Sequence, residues 1–208
     1  MTAAADLLVV HGDAISPWIG ALAALRIAVF RDWPYLYDGD LDYEASYLRG
    51  YAADPHATVV LARAGGEVVG ASTAMPLAAH SGDVVAPLTQ AGYRAGELYY
   101  FGESVLDPAW RGRGLGHAFF DRREEAAARF GFARMTFCAV VRPADHPRRP
   151  AAYQPLDPFW RRRGFVPLPD VRGEMRWKDL DDPAGTESPK PMQFWIKEAR
   201  ATRREPTP

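Results

Sequence analysis

Three glycines within five residues, Gly112, Gly114 and Gly116, separate a β-rich run from an alanine-rich run of helical character. No other stretch constrains the fold as strongly. Glycine reaches positive φ without steric cost, so the chain can turn sharply here from strand to helix and leave the N–H groups of the helix's first turn facing outward. Unpaired donors at the positive end of a helix dipole make a cradle for an anion. Arg111 and Arg113 add positive charge that the whole chain lacks, since 25 Lys+Arg against 26 Asp+Glu leave a formal net charge of -1. A balanced chain has no global field to attract a phosphate polymer or an anionic membrane, so neither nucleic acid nor membrane is an expected partner.

The rest of the chain reads as alternating strands and helices. Leu7 to His11 suits a first strand, and Ser16 to Phe30 a densely apolar helix. Tyr43, Tyr47 and Tyr51 recur at four-residue spacing, which predicts three rings on one side of a second helix. Thr58 to Arg63 and Glu67 to Met75 form a hairpin about Gly65 and Gly66, and a short helix is expected from Val84 to Ala91. Glu97 to Leu106 is strand-like, Ala118 to Phe130 helical up to Gly131, and Arg134 to Val141 a strand. A long Pro/Arg-rich connection, Arg142 to Pro158, leads to a short basic helix, Phe159 to Arg163. Two last strands are expected, Glu174 to Lys178 and Met192 to Lys197. This order predicts an α/β chain with a mixed sheet covered on both faces: one domain over 1–199 and a disordered polar tail over 200–208.

Cys138 is the lone cysteine and cannot close an internal disulfide; no Cys/His cluster has metal-ligand spacing, so no metal is expected. The first ten residues lack the basic region of a signal peptide, and no apolar run approaches the roughly 18 residues of a membrane helix. These points predict a cytoplasmic protein.

Spacing narrows the anion. A dinucleotide fingerprint started at Gly112 would need glycine where His117 stands, and a P-loop would need a Gly-Lys-[Ser/Thr] end that is missing. Arg111-x-x-Gly114-x-Gly116 does fit an R/Q-x-x-G-x-G/A element and resembles the pyrophosphate loop of the GNAT-type N-acetyltransferases. Leu106-Asp107-Pro108 before it resembles the end of that family's fourth strand, and Phe159-Trp160-Arg161-Arg162-Arg163-Gly164-Phe165 its "FYxxxGF" segment.

The resemblance implies a GNAT-like acyl-CoA N-acyltransferase fold, with a sheet splayed between its fourth and fifth strands and acetyl-CoA lying in the opening. It implies that backbone groups of Ser104, Val105 and Leu106 meet the pantetheine arm. The amides of Arg111, Gly112, Arg113, Gly114, Leu115, Gly116 and His117 would meet the pyrophosphate. The acetyl group would pass directly to a primary amine, with a small molecule as the expected acceptor. A primary amine with a pKa near 10 is protonated at neutral pH and must lose a proton to react. Glu103, flanked by Gly102 and Ser104, is the first candidate base, and Glu97 the second; an ordinary strand carboxylate paired with Arg111 is the competing reading. The family's acidic tyrosine matches Trp160, whose indole cannot serve as an acid, so Tyr153 is the candidate donor.

Other residues carry weaker signals. Trp33, Tyr35 and Tyr37 alternate with acids over Arg31 to Asp42, a mixture that could hold a cationic amine or simply pack. Arg142, Arg148, Arg149 and Arg161 to Arg163 form a second basic zone, for a phosphate or for solvent. Cys138 reads as core, and His80 and His146 as loop residues without a role. The alternative to an enzyme is a catalytically silent acyl-CoA-binding or interaction module on the same fold.

Overall fold

The computed structural model describes residues 4–199. The tail expected to be disordered lies outside them. Seven strands form one sheet: β1 (Asp6–His11), β2 (Thr58–Ala64), β3 (Glu67–Pro76), β4 (Leu98–Leu106), β5 (Arg134–Val140), β6 (Val166–Trp177) and β7 (Ser188–Glu198). Their order is β1-β2-β3-β4-β5-β7-β6. All neighbours run antiparallel except β4 and β5, which are parallel. The helices are α1 (Ile19–Phe30), α2 (Leu41–Ala53), α3 (Gly82–Gln90), α4 (Leu115–Arg129) and α5 (Asp157–Arg162).

Strand alternation builds two cores. On one face Val59 and Leu61 of β2, Ala71 and Met75 of β3 and Val105 of β4 pack under Leu22 and Ala23 of α1 and Leu48 and Tyr51 of α2. Further along that face, Leu98, Tyr100 and Cys138 pack under Val84 and Leu88 of α3. The other face carries α4 and α5: Phe119 packs on Val60 and Ala62, and Phe120 joins Tyr99, Phe101, Phe137 and Trp195. Cys138 is buried, with its thiol 3.2 Å from the Tyr100 hydroxyl and its pKa pushed up to about 12 by burial, which fits the core reading.

Two segments differ from the sequence expectation for physical reasons. β6 begins at Val166 rather than Glu174, although it contains Pro167 and Pro169. It is an edge strand, where a missing N–H costs no ladder bond, and its register shifts between Pro167 and Arg172 to pass the prolines. The tyrosine row is broken too. Tyr47 and Tyr51 pack against each other at 5.4 Å between centroids, but Tyr43 is 59% exposed. Four-residue steps drift about 40° each on a helix of 3.6 residues per turn, which swings Tyr43 off the face that Tyr51 buries.

Gly12–Phe30 is the one helical stretch among the described residues that is long and apolar enough to cross a membrane, at 19 residues. The sequence expectation of no such run is therefore amended. Here that stretch starts as a 3-10 turn containing Pro17, and α1 turns its single charged residue, Arg26, inward onto the sheet.

Candidate active site

β4 and β5 are paired only from Leu98 to Tyr100 opposite Arg134 to Thr136. Beyond that point β4 is hydrogen-bonded to β3 alone and β5 to β7 alone, so Phe101–Leu106 and Phe137–Val140 present two unpaired edges across an opening. An aromatic cluster lies beside the opening: Phe165 packs on Phe137 of β5 at 5.0 Å and on Phe101 of β4 at 6.0 Å, and Phe137 also packs on Trp160 at 5.0 Å and flat against Trp195 at 6.1 Å. Phe165 is fixed there because α5 ends in a glycine cap. Gly164 has φ +86°, its N–H donates to Arg161 O at 2.9 Å, and the Phe165 N–H donates to Trp160 O at 3.0 Å.

The glycine loop lies at the end of the open β4 edge. Asp107 caps a 3-10 turn by accepting from the Ala109 N–H at 2.8 Å; Gly112 then has φ +75° and Gly114, the N-cap of α4, φ +81°. Arg111 N–H donates to Pro108 O at 3.2 Å and His117 N–H to Gly114 O at 3.0 Å, so these two amides are occupied. Between them, the N–H groups of Gly112, Arg113, Gly114, Leu115 and Gly116 donate to no backbone or side-chain acceptor among the described residues. The unpaired amides are thus the inner part of the segment that the sequence reading assigned to an anion. Arg111 and Arg113 fold back on their own turn, Arg111 Nε to Leu106 O at 3.4 Å and Arg113 Nη2 to Ala109 O at 3.0 Å. The His117 ring packs on Phe159.

Residues 23–165 match the family model for the acetyltransferase (GNAT) family. The chain belongs to that family. Solved structures of the same fold include a ribosomal-protein-alanine N-acetyltransferase from Brucella melitensis, at 16% identity and TM-score 0.56, covering 92% of this chain and 99% of that one. An acyl-CoA N-acyltransferase from Pseudomonas aeruginosa is 17% identical with TM-score 0.52, over 93% and 99% of the two chains. An N-acetyltransferase from Staphylococcus aureus Mu50 is 12% identical with TM-score 0.56, over 93% and 98%. No curated protein matches the chain.

In this GNAT domain the β3–β4 register breaks between Ser72 and Ala74, so that Gly102 and Glu103 together oppose Thr73. This is a β-bulge, and it reverses the alternation of β4. Leu98 and Tyr100 lie on the α1/α2/α3 face before it; Val105 lies on that face after it, and Glu103 with it. A Cβ on residue 102 would collide with the Tyr51 hydroxyl and Thr73 Oγ1, so only glycine fits there.

Glu103 meets Arg26, not Arg111. The two side chains are ion-paired at 10% and 7% exposure, and Arg26 also holds Glu44, which is 1% exposed. One guanidinium therefore serves two carboxylates. Around them stand Tyr47, whose ring lies 4.5 Å from the Arg26 guanidinium carbon, Tyr51 and His80. Burial lowers the His80 pKa to about 4 against the opposing pull of the Glu103 charge, so this histidine is neutral at pH 7. Glu97 stands apart, in the turn before β4 where the sheet is closed, paired with Arg134 and Arg94.

The aromatic loop borders this cluster. Tyr35 packs on Phe30 at 4.5 Å and Trp177 at 5.9 Å, and Tyr37 forms an isolated antiparallel bridge with Asp179. Trp33 packs on His146 and Tyr153, which belong to the loop that leaves the C-terminal end of β5. Two of the loop's four acids have structural partners: Asp38 pairs with Lys178 and Arg31, and Asp40 caps α2 by accepting from the Tyr43 N–H. Three of the six arginines of the second basic zone are also committed. Arg142 is buried on Asp179 and donates to Pro34 O at 2.8 Å and Tyr35 O at 2.6 Å, fastening the aromatic loop, while Arg148 pairs with Asp181 and Arg163 with Asp121 and Glu124. Trp160 packs between Phe137 and Trp195.

Arg26 and Glu44 were missed in the sequence, while His80, read there as a loop residue, does lie in a loop and stands beside them. Arg26 did leave a signal, as the only charge in the twelve residues of α1. Glu44 leaves none, because its meeting with Arg26 depends on tertiary contacts alone.

Proposed function

We propose that this GNAT domain is an acetyl-CoA-dependent N-acetyltransferase of the cytosol acting on a primary amine, with the amine attacking the thioester directly in a ternary complex. The observation that carries the reading is the row of unpaired amides from Gly112 to Gly116 at the end of the open edge of β4. Five donors at the positive end of a fifteen-residue helix suit a pyrophosphate, and the free edge at Ser104 to Leu106 suits an amide-bearing arm laid along it as a further strand. Bound there, acetyl-CoA supplies an activated acyl carbon.

Glu103 then takes the amine's proton, directly or through a water. The neutral fraction of the amine attacks, its first proton having gone to solvent, and Glu103 receives the second proton, which the nitrogen sheds as the C–N bond forms. The charge on Glu103 is only partly cancelled, since Glu44 shares the same guanidinium. Tyr153, which burial keeps protonated through the neutral range, donates to the leaving sulfur. A thiolate with a pKa near 8.5 is a fair leaving group and asks little of that acid. Trp33, Tyr35 and Tyr37 form the wall against which a small amine rests.

The test is release of free thiol from acetyl-CoA across a panel of small amines and amino acids. Amine-dependent release supports the proposal; saturable acetyl-CoA binding with no turnover on any amine would instead make the chain a silent acyl-CoA-binding module.

A further inference from the structure

The bulge that carries Glu103 needs a partner of its own. Two residues opposite one leave main-chain groups out of the ladder, and buried carbonyls must find donors elsewhere. Arg123, in the middle of α4 and 2% exposed, supplies them. Its Nη1 donates to Thr73 O at 3.3 Å and to Glu103 O at 3.2 Å, one carbonyl on each side of the irregularity. Its Nη2 donates to the Ser104 hydroxyl at 2.8 Å, and its Nε to Phe119 O at 3.2 Å within its own helix.

We propose that Arg123 is a positioning residue for the transfer reaction: from the α4 side it clamps the β4 bulge, and the bulge turns the Glu103 carboxylate to the acceptor side. This rests on the acetyltransferase reading above. The side Glu103 faces depends on the extra residue. With strict alternation from Tyr100, Gly102 and Ser104 would face α1 and α2, and Glu103 would turn towards α4.

Packing alone does not explain an arginine here. The guanidinium lies 4.4 Å from the Phe101 centroid and 4.7 Å from that of Phe120, a pocket that an apolar side chain of similar length would fill without desolvating a charge. Among the described residues no carboxylate pairs with it, and burial lowers its pKa to about 9, leaving it charged at neutral pH. What the arginine adds is geometry: a planar group with donors aimed at three acceptors on two strands. It also joins the two halves of the site. Arg123 stands eight residues along α4 from Leu115, about 12 Å by helical rise, so one rigid helix carries both the amide cradle and the clamp.

The experiment is a double-mutant cycle between Arg123→Gln and Glu103→Gln, read as kcat for thiol release and as acetyl-CoA affinity by calorimetry. Expected is a fall in kcat of about tenfold or more for Arg123→Gln, an acetyl-CoA Kd within about threefold, and less than about a twofold further effect once Glu103 is already Gln. Equal losses in both backgrounds, a Kd that weakens in step with kcat, or full activity would each overturn the proposal. Should Arg123→Gln fail to fold, Ser104→Ala removes one acceptor of the clamp from an exposed position. A fall in kcat confined to the Glu103 background supports the clamp, and no fall refutes it. If the unaltered protein binds no acetyl-CoA, the acetyltransferase reading fails first, and that outcome is distinct from any result of the cycle.

Discussion

Arg26 holds two carboxylates in a place from which water is nearly absent, and this single arrangement decides how Glu103 behaves. Replacing Glu103 by Gln keeps its shape but removes the proposed proton acceptor and one partner of a buried cation. The expected outcome is at least about a tenfold loss of kcat with acetyl-CoA affinity retained, because the amides that would hold the coenzyme belong to another segment. His80 offers a second test. Its pKa in the folded protein is about 4 against 6.5 for an ordinary histidine, so between those values the unfolded chain binds the extra proton and the folded one resists it. Its contribution to stability is complete above about pH 6.5 and is lost as the pH falls towards 4. His80→Gln should therefore lose less thermal stability than the unaltered protein between pH 7 and pH 4.5. Parallel losses in the two proteins would contradict the placement of His80 as a half-buried neutral group.

The glycines with defined tasks belong to the scale of elements. At Gly102, where a methyl group meets a tyrosine and a threonine oxygen, alanine should cost about 1–3 kcal/mol in chemical denaturation and lower activity with it, since the bulge must shift. At Gly114, φ +81° makes alanine strained although nothing nearby blocks it. The expected loss there is about 1–2 kcal/mol, together with weaker acetyl-CoA binding, and Gly66→Ala, in the distant β2–β3 turn, serves as the control for strain without the second effect. The strand–glycine–helix unit was legible in the sequence because its signals are local: glycines at the turn, a glycine stop at Gly131, and β-rich runs on both sides. β6 was read too short because Pro167 and Pro169 hide a strand unless its edge position is known. The bulge could be suspected from Gly102 and Ser104 beside Glu103, but its position is set by Thr73 and Tyr51, far away in the chain.

For the whole molecule, the mixed α/β architecture followed from the order of elements, while the opening between β4 and β5 came only with the resemblance to GNAT enzymes. The aromatic cluster beside it, Phe137, Trp160, Phe165 and Trp195, unites residues that no local pattern joins. The same holds for the aromatic loop, which Arg142 ties to Asp179 and so to the end of β6. Severing that tie with Arg142→Met should raise the KM for the amine more than that for acetyl-CoA, as steady-state kinetics with both substrates varied would show. The most direct measurement is amide NMR during an acetyl-CoA titration. The account predicts that the N–H resonances of Gly112 to Gly116 and of Ser104 to Leu106 shift together, and by more than those of the closed β2–β3 hairpin. Saturable binding that leaves these amides unmoved would contradict it.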